Sequence, residues 1–157
     1  MKEKKIEIKM IEMQYDELSA SQRKLVDLAR AATDRSYAPY SKFRVGAAIE
    51  LDNGEIVTGS NQENAAYPSG TCAERTAAFY AHAAYPEAKF KAIAIAAIGT
   101  DGREVCDPVA PCGACRQSLL EFETLANHDV EVILASSDAI YILPSVRSTL
   151  PLAFSEF

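Results

Sequence analysis

The chain contains two short cysteine motifs that lie about forty residues apart: Thr71-Cys72-Ala73-Glu74-Arg75 and Pro111-Cys112-Gly113-Ala114-Cys115-Arg116. In the first turn of a helix, Cys112 and Cys115 would face one side and could share one tetrahedral ion. Cys72 and Glu74 are roughly 200° apart around a regular helix, so both face one ion only if Cys72 lies at the irregular N-terminal edge. The pattern predicts a zinc site in which Cys72, Cys112 and Cys115 are the ligands and Glu74 is a separate acid/base.

The charge of such a site needs compensation. Three thiolates around Zn²⁺ leave one net negative charge, which weakens the pull of the metal on a bound water. Two helix N-termini aimed at the metal would offset this charge, as would a cation beside the sulfurs. Arg75 and Arg116 both adjoin the motifs, and we expect Arg75 to be the thiolate partner.

Two plainer interpretations remain open. Glu74, taken alone, fits an ordinary acidic residue in the first turn of a helix, where the helix dipole favours it. Cys106, taken as a fourth ligand, would make the zinc structural, but it lies six residues before Cys112, outside the usual spacing of about two to four intervening residues. We therefore expect Cys106 to be a loop or core thiol.

The composition restricts the class of protein. At 157 residues the chain is most simply one domain, 1–157, and its net charge of -6 disfavours polynucleotide substrates. The longest apolar run, Ala92 to Ile98, is far shorter than the roughly 20 residues of a membrane-spanning helix. Four cysteines without a signal peptide fit a reducing compartment, and we expect the cytoplasm.

The order of predicted elements indicates an α/β layer fold with a mixed sheet of about five strands. Helices are expected at about 20–34, 73–85 and 113–125, and the second of these is apolar all round, which predicts burial between layers. Strands are expected at 43–51, 56–59, 92–98, 130–134 and 139–143. Asn53-Gly54 predicts a hairpin turn in which both central residues take positive φ. Residues 6–10 alternate like a half-buried strand, although a frayed tail is equally compatible.

From about Tyr37 to Phe154 the chain resembles the small homotetrameric cytidine deaminases of pyrimidine salvage. The resemblance rests on residues 38–48, on Asn61-Gln62-Glu63-Asn64-Ala65-Ala66-Tyr67, on both cysteine motifs and on residues 150–154. It implies a three-layer αβα sandwich that deaminates cytidine and deoxycytidine hydrolytically to uridine and deoxyuridine. It also implies one zinc per subunit and active sites shared between subunits.

The resemblance further implies a role for particular residues. Cys72, Cys112 and Cys115 would bind zinc, and Glu74 would shuttle protons. Other positions would contact the nucleoside: the Ala73 backbone and the Phe43 ring at the base, Asn61 and Glu63 at the ribose 3′-hydroxyl, and Tyr67 and Phe154 in the site of a neighbouring subunit.

Two rival functions remain at this point. A deaminase of a modified cytosine nucleoside, such as the antibiotic blasticidin S, would share the cysteine motifs, and the loop with Asn61 and Glu63 argues against it. A structural zinc protein or interaction protein would be distinguished by four sulfur ligands. Residues 1–14 extend beyond the compact form of the family, so they are expected to add an edge strand or alter the assembly.

Overall fold

The computed structural model describes residues 1–155 and contains one mixed sheet flanked by helices. The elements in chain order are β1 (Ile11–Met13), α1 (Ala20–Ala32), β2 (Arg44–Leu51), β3 (Ile56–Ser60), α2 (Ala73–Ala84), β4 (Phe90–Ile98), α3 (Gly113–Ala126), β5 (Glu131–Ala135) and β6 (Ile140–Leu143). The strand order in the sheet is β1-β6-β5-β4-β2-β3. Neighbouring strands are antiparallel except β4 and β5, which are parallel.

The helices cover the two faces of the sheet and so form three layers. α1 packs on one face, where its Leu25, Val26 and Ala29 belong to a buried cluster with alternate residues of β2, β4, β5 and β6. α2 and α3 pack side by side on the other face over a second, larger cluster. The α/β sandwich predicted above is therefore confirmed.

Two glycines on paired strands allow the helices to approach the sheet closely. A Cβ atom at Gly46 in β2 would lie 2.1 Å from the carbonyl oxygen of Ala29 in α1. A Cβ atom at Gly59 in β3 would lie 2.5 Å from the backbone nitrogen of Ala77 in α2. Each helix therefore rests directly on the backbone of a strand, and Gly59 sets the depth of the helix that follows the first cysteine motif.

The N-terminal region adds a sixth strand at a place different from the predicted one. Residues 1–10 have no regular secondary structure, whereas Ile11–Met13 pairs with β6 at the edge of the sheet. The alternation at residues 6–10 is real, but strand formation also needs a partner. β6 offers that partner only to residues 11–13.

The turn between β2 and β3 also differs from the prediction. Gly54 has φ +87°, but Asn53 does not have a positive φ. The Gly54 N–H donates to the Leu51 carbonyl over 3.1 Å, and the Leu51 N–H donates to the Glu55 carbonyl over 2.9 Å. The connection is thus a three-residue loop, which needs only one left-handed residue. The hairpin is confirmed, and its predicted two-residue turn is wrong.

The prediction that α2 is buried all round is also wrong. Its alanines 73, 77, 78 and 81 are buried against the sheet, but Phe79 is 50% and Tyr80 is 65% exposed. Among the described residues, no helix has both the length and the apolar character that crossing a membrane requires.

Candidate metal centre and pocket

The sheet topology brings the two cysteine motifs together. β3 and β4 are both antiparallel to β2. They therefore run in the same direction, and their C-terminal ends lie on the same side of the sheet. Each is followed by a loop and then by a helix on the same face. The N-termini of α2 and α3 therefore meet, and each begins with a cysteine as its N-cap: Cys72 for α2 and Cys112 for α3.

The backbone at these caps has the irregular geometry that the spacing argument requires. Cys72 has φ −69° and ψ 157°, which is extended, and Ala73 is the first helical residue. Cys112 is similarly extended, and Cys115 lies one turn further on in α3. Because Cys72 is an extended N-cap, its side chain does not point in the direction it would have in a continuous helix. Cys72 and Glu74 can therefore lie on the same side of α2 although they are only two residues apart.

Three sulfur atoms form the cluster. The Sγ atoms of Cys72, Cys112 and Cys115 lie within 4.8 Å of one another, and those of Cys72 and Cys112 are 3.9 Å apart. Tetrahedral zinc with Zn–S bonds of about 2.3 Å needs sulfurs about 3.8 Å apart. The donor set therefore fits zinc both in chemistry and in spacing.

Arg75 is the cation beside this cluster. Its Nη2 lies 3.7 Å from Cys72 Sγ, and its Nε is buried without a hydrogen-bond partner in residues 1–155. A hydrogen bond from Cys115, and after it the contact with Arg75, lower the pKa of the Cys72 thiol. That hydrogen bond and burial raise the pKa of Cys115. A fixed positive charge and two helix N-termini thus lie where thiolates need stabilisation.

Arg116 and Cys106 lie apart from the sulfurs. The Arg116 guanidinium donates to two backbone carbonyls, to Pro111 over 2.7 Å and to Thr149 over 2.9 Å. It therefore ties the loop before Cys112 to the C-terminal segment. Cys106 is exposed and is not a member of the cysteine cluster. The four-sulfur interpretation has no geometric support in the described residues.

Glu74 is a buried carboxyl next to the cluster. It lies in the first turn of α2 and is only 5% exposed. Burial is the main cause that raises its pKa, and the negative charge at Cys72 acts in the same direction. A raised pKa makes a carboxyl group better suited both to accept and to donate a proton.

A pocket of about 550 Å³ opens beside Cys72 and Arg75. Its other walls come from the loop after β3 and from the turn before β2; they are formed by Tyr40, Ser41, Asn61, Gln62, Glu63, Asn64, Tyr67, Gly70 and Thr71. Asn61 and Glu63, the two polar residues predicted to hold a sugar, therefore line the same pocket as Cys72 of the sulfur cluster.

The Asn61 side chain also builds the pocket wall. Its Oδ1 accepts from the Ser36 hydroxyl and from the Val45 N–H, and its Nδ2 donates to the Phe43 carbonyl over 2.9 Å. The two backbone partners fix which end of the amide is oxygen. One N–H of the amide has no partner within residues 1–155.

Glu63 holds the adjoining turn. Its carboxylate accepts the backbone N–H groups of Tyr40 over 2.8 Å and of Ser41 over 3.2 Å. Hydrogen bonding by Ser41 is the main cause that lowers the pKa of Glu63, and the Tyr40 N–H adds to it. The carboxylate stays ionised and keeps acceptor capacity for a further donor.

The remaining predicted residues lie at different distances from this pocket. Ala73 is fully buried at the first position of α2, between Cys72 and Glu74. Tyr67 is on the pocket wall, 76% exposed, with its ring 6.0 Å from that of Tyr40. Phe43 is half-buried and Phe154 is 68% exposed, and neither lines the pocket.

The sequence-based prediction missed residues that shape the site without reacting. The Ser36 hydroxyl donates to the Asn61 side chain, and the Ser41 backbone N–H donates to the Glu63 carboxylate. The only signal for them in the sequence is the turn-rich composition of Ser36-Tyr37-Ala38-Pro39-Tyr40-Ser41. That composition predicts a turn but does not reveal which side chain it contacts.

Fold and site together define a class: an α/β protein in which three cysteine sulfurs are placed to hold a tetrahedral zinc ion beside a buried carboxyl group. The family model for the cytidine and deoxycytidylate deaminase zinc-binding region matches residues 19–127. The chain belongs to this family.

Relatives over most of the chain agree with this membership. The chain is similar to the cytidine deaminase of Sporosarcina psychrophila, with 42% identity over 85% of this chain and 90% of that protein. It is 40% identical to the cytidine deaminase of Halalkalibacterium halodurans over 83% of this chain and 92% of that protein. The crystal structure of the Burkholderia pseudomallei cytidine deaminase superposes with a TM-score of 0.71 at 39% identity, covering 87% of this chain and 100% of that one.

Proposed function

We propose that the protein is a zinc-dependent enzyme that hydrolyses cytidine and deoxycytidine to uridine and deoxyuridine and releases ammonia. The observation that carries this proposal is the juxtaposition of three cysteine sulfurs, the buried Glu74 carboxyl and one pocket. Relatives at about 40% identity are named cytidine deaminases. The free cysteines fit a reducing location, which we propose to be the cytoplasm.

In the proposed mechanism Cys72, Cys112 and Cys115 hold the zinc, which when bound supplies a Lewis acid that makes water a better nucleophile. Glu74 accepts one proton from the attacking water at its carboxylate and delivers it to the pyrimidine ring nitrogen; it then takes the second proton from the new C4 hydroxyl and delivers it to the departing amine. The attack is at C4 of the ring. One water is consumed and one ammonia leaves, so the carboxyl group ends in its starting state.

The pocket supports the proposed recognition of a nucleoside. We assign the ribose 3′-hydroxyl to Asn61 and Glu63, because the amide has one unpaired N–H and the carboxylate has acceptor capacity. The backbone of Ala73 would hold the base, and Phe43 would pack on it. The ionised Glu63 would also repel a phosphate group, which favours nucleosides over nucleotides.

We also propose a homotetramer in which Tyr67 and Phe154 reach the site of a neighbouring subunit. Both rings are largely exposed in a single chain, as are Phe79 and Tyr80 on α2. Exposed aromatic residues of this kind are typical of buried interfaces between subunits. Light scattering coupled to size exclusion, with a mass of four chains as the expected result, checks the assembly.

The activity test follows the ultraviolet absorbance of cytidine with the zinc-loaded protein. We expect Glu74→Gln to keep the fold and the zinc but to lose on the order of 100-fold or more in kcat, because the proton shuttle is removed. Glu121→Gln, an exposed carboxylate on α3, is the matched control and should retain activity. Unchanged absorbance with folded, zinc-loaded wild-type protein would contradict the proposal, and faster turnover of blasticidin S than of cytidine would favour the rival deaminase.

A further inference from the structure

The sheet has an open edge at β1. β1 is the outermost strand and pairs on one side with β6, through Ile11 opposite Ile142 and Met13 opposite Ile140. Within residues 1–155 no strand pairs with its other side. An open edge presents unpaired N–H and C=O groups and is a template for another strand.

The segment that leads into this edge has the pattern of a strand without its partner. In residues 4–12, here called the leading segment, Ile6, Ile8 and Met10 alternate with charged residues, and their side chains are all at least 50% exposed. Alternation of this kind places apolar side chains on one face of a strand. Three neighbouring apolar residues of one face are thus left in water in a single chain.

The leading segment is complementary to itself in the antiparallel direction. If two copies pair with Ile8 opposite Ile8, then Ile6 lies opposite Met10 and Glu7 lies opposite Lys9. Further out, Lys4 lies opposite Glu12. Two-fold symmetry makes each of these pairs occur twice, so the charges of Lys4, Glu7, Lys9 and Glu12 all meet opposite charges, and the pair of Lys5 with Ile11 is the one mismatch within the segment.

Neighbouring registers lack this match. Pairing centred on Glu7 would place Lys5 opposite Lys9, and pairing centred on Lys9 would place Ile6 opposite Glu12. A shift by one residue on one strand alone would place apolar residues opposite charged ones. The register centred on Ile8 therefore has the fewest mismatched pairs, and the pattern favours it.

We propose that the leading segment forms an antiparallel strand pair with the leading segment of a second copy of this chain. In this arrangement residues 3–5 of each copy lie against β1 of the other, so both open edges gain hydrogen bonds. A two-stranded ribbon is marginal alone, but here each strand is continuous with a six-stranded sheet. The surface lies outside the matched family region, 19–127, and does not involve the zinc site.

Disulfide cross-linking of the full-length, zinc-loaded protein tests the register. A residue opposite itself has its two Cα atoms about 4.5–5.5 Å apart, within the range for a disulfide. Ile8→Cys should therefore form a covalent dimer under mild oxidation. Ile6→Cys is the matched control, because Ile6 lies opposite Met10 and should cross-link far more slowly.

Charge reversal in the Ile8→Cys background tests the complementarity. Glu7→Lys and Lys9→Glu each place like charges opposite one another twice, and each should slow cross-linking by about tenfold. The double variant Glu7→Lys/Lys9→Glu restores opposite charges and should restore the rate. Three results would overturn the proposal: no more dimer than the wild-type cysteines give, equal cross-linking of Ile6→Cys, or no recovery in the double variant.

Discussion

Replacing Gly59 by alanine should weaken zinc binding although Gly59 is not a member of the sulfur cluster. The added Cβ atom would lie 2.5 Å from the backbone nitrogen of Ala77 and 2.7 Å from the carbonyl oxygen of Ala73. Ordinary contacts begin near 3.4 Å, so α2 must recede by about 0.9 Å. Ala73 directly follows Cys72 of the sulfur cluster, so the displacement reaches the proposed zinc site.

The size of the effect follows from the tolerance of the site. Zinc–ligand distances are held to within about 0.2 Å, so a displacement near 0.9 Å should cost on the order of tenfold or more in zinc affinity. Overpacking against backbone should also lower the free energy of unfolding by about 1–3 kcal/mol. A loss of stability alone would therefore not show that Gly59→Ala displaces Cys72.

Gly46→Ala is the matched control for stability. Its Cβ atom would lie 2.1 Å from the Ala29 carbonyl oxygen, so it forces α1 away from the opposite face of the sheet. We expect at least as large a loss of stability as in Gly59→Ala. Zinc binding should be unchanged, because α1 contributes no residue to the cluster or to the pocket.

Urea unfolding with and without zinc separates the two effects. The zinc-free curves report the packing cost, and the increment on adding zinc reports binding to the native state. Each tenfold loss of affinity removes about 1.4 kcal/mol from that increment. A wild-type increment in Gly59→Ala, or an equal loss in Gly46→Ala, would refute the argument that Gly59 sets the position of Cys72.

Two further predictions concern polar side chains of α3. Arg116 ties the carbonyls of Pro111 and Thr149 together, so Arg116→Lys, which keeps the charge but cannot reproduce the fork, should release zinc to a chromogenic chelator several-fold faster than the wild type. Arg103→Gln, at an exposed arginine in the loop between β4 and α3, should release zinc at the wild-type rate. A wild-type rate for Arg116→Lys would contradict the prediction, because it would show that the positive charge alone suffices. Glu123 is buried and accepts three backbone N–H groups, from Val130, Val146 and Arg147. Glu123→Ala leaves these three N–H groups without their acceptor and should lower the free energy of unfolding by about 3 kcal/mol. Glu121→Ala, at an exposed position, is the control. A loss below about 1 kcal/mol in Glu123→Ala would contradict the prediction.

Elements whose signals are local were predictable. The helix expected at 113–125 is Gly113–Ala126, and the strand expected at 92–98 is Phe90–Ile98. α1 begins at a serine cap, where the Ser19 side chain accepts from the Gln22 N–H. Periodicity, caps and breakers act over one or two turns, so the sequence carries them directly.

Features that depend on a distant partner were predicted less well. The edge strand is only three residues long, Ile11–Met13, because β6 pairs with no other residues of the N-terminal region. α2 exposes Phe79 and Tyr80 because one face of this apolar helix is left uncovered by the sheet and α3. Apolar composition records a preference for burial, but only the packed chain decides which side chains obtain it.

The sequence by itself determined the chemistry of the centre, because ligand type and the short spacing of Cys112 and Cys115 are local properties. The sequence also predicted that Asn61 and Glu63 act at the same place. It did not predict the hydrogen bonds that they form with residues 36–45. Only the tertiary structure brought Cys72 to the other two sulfurs across forty residues, whereas the sequence already favoured Arg75 over Arg116 as the cation beside them. Arg75 lies beside the cluster while Arg116 binds backbone carbonyls, because the direction of a long side chain is set by the surfaces that two packed helices present to it.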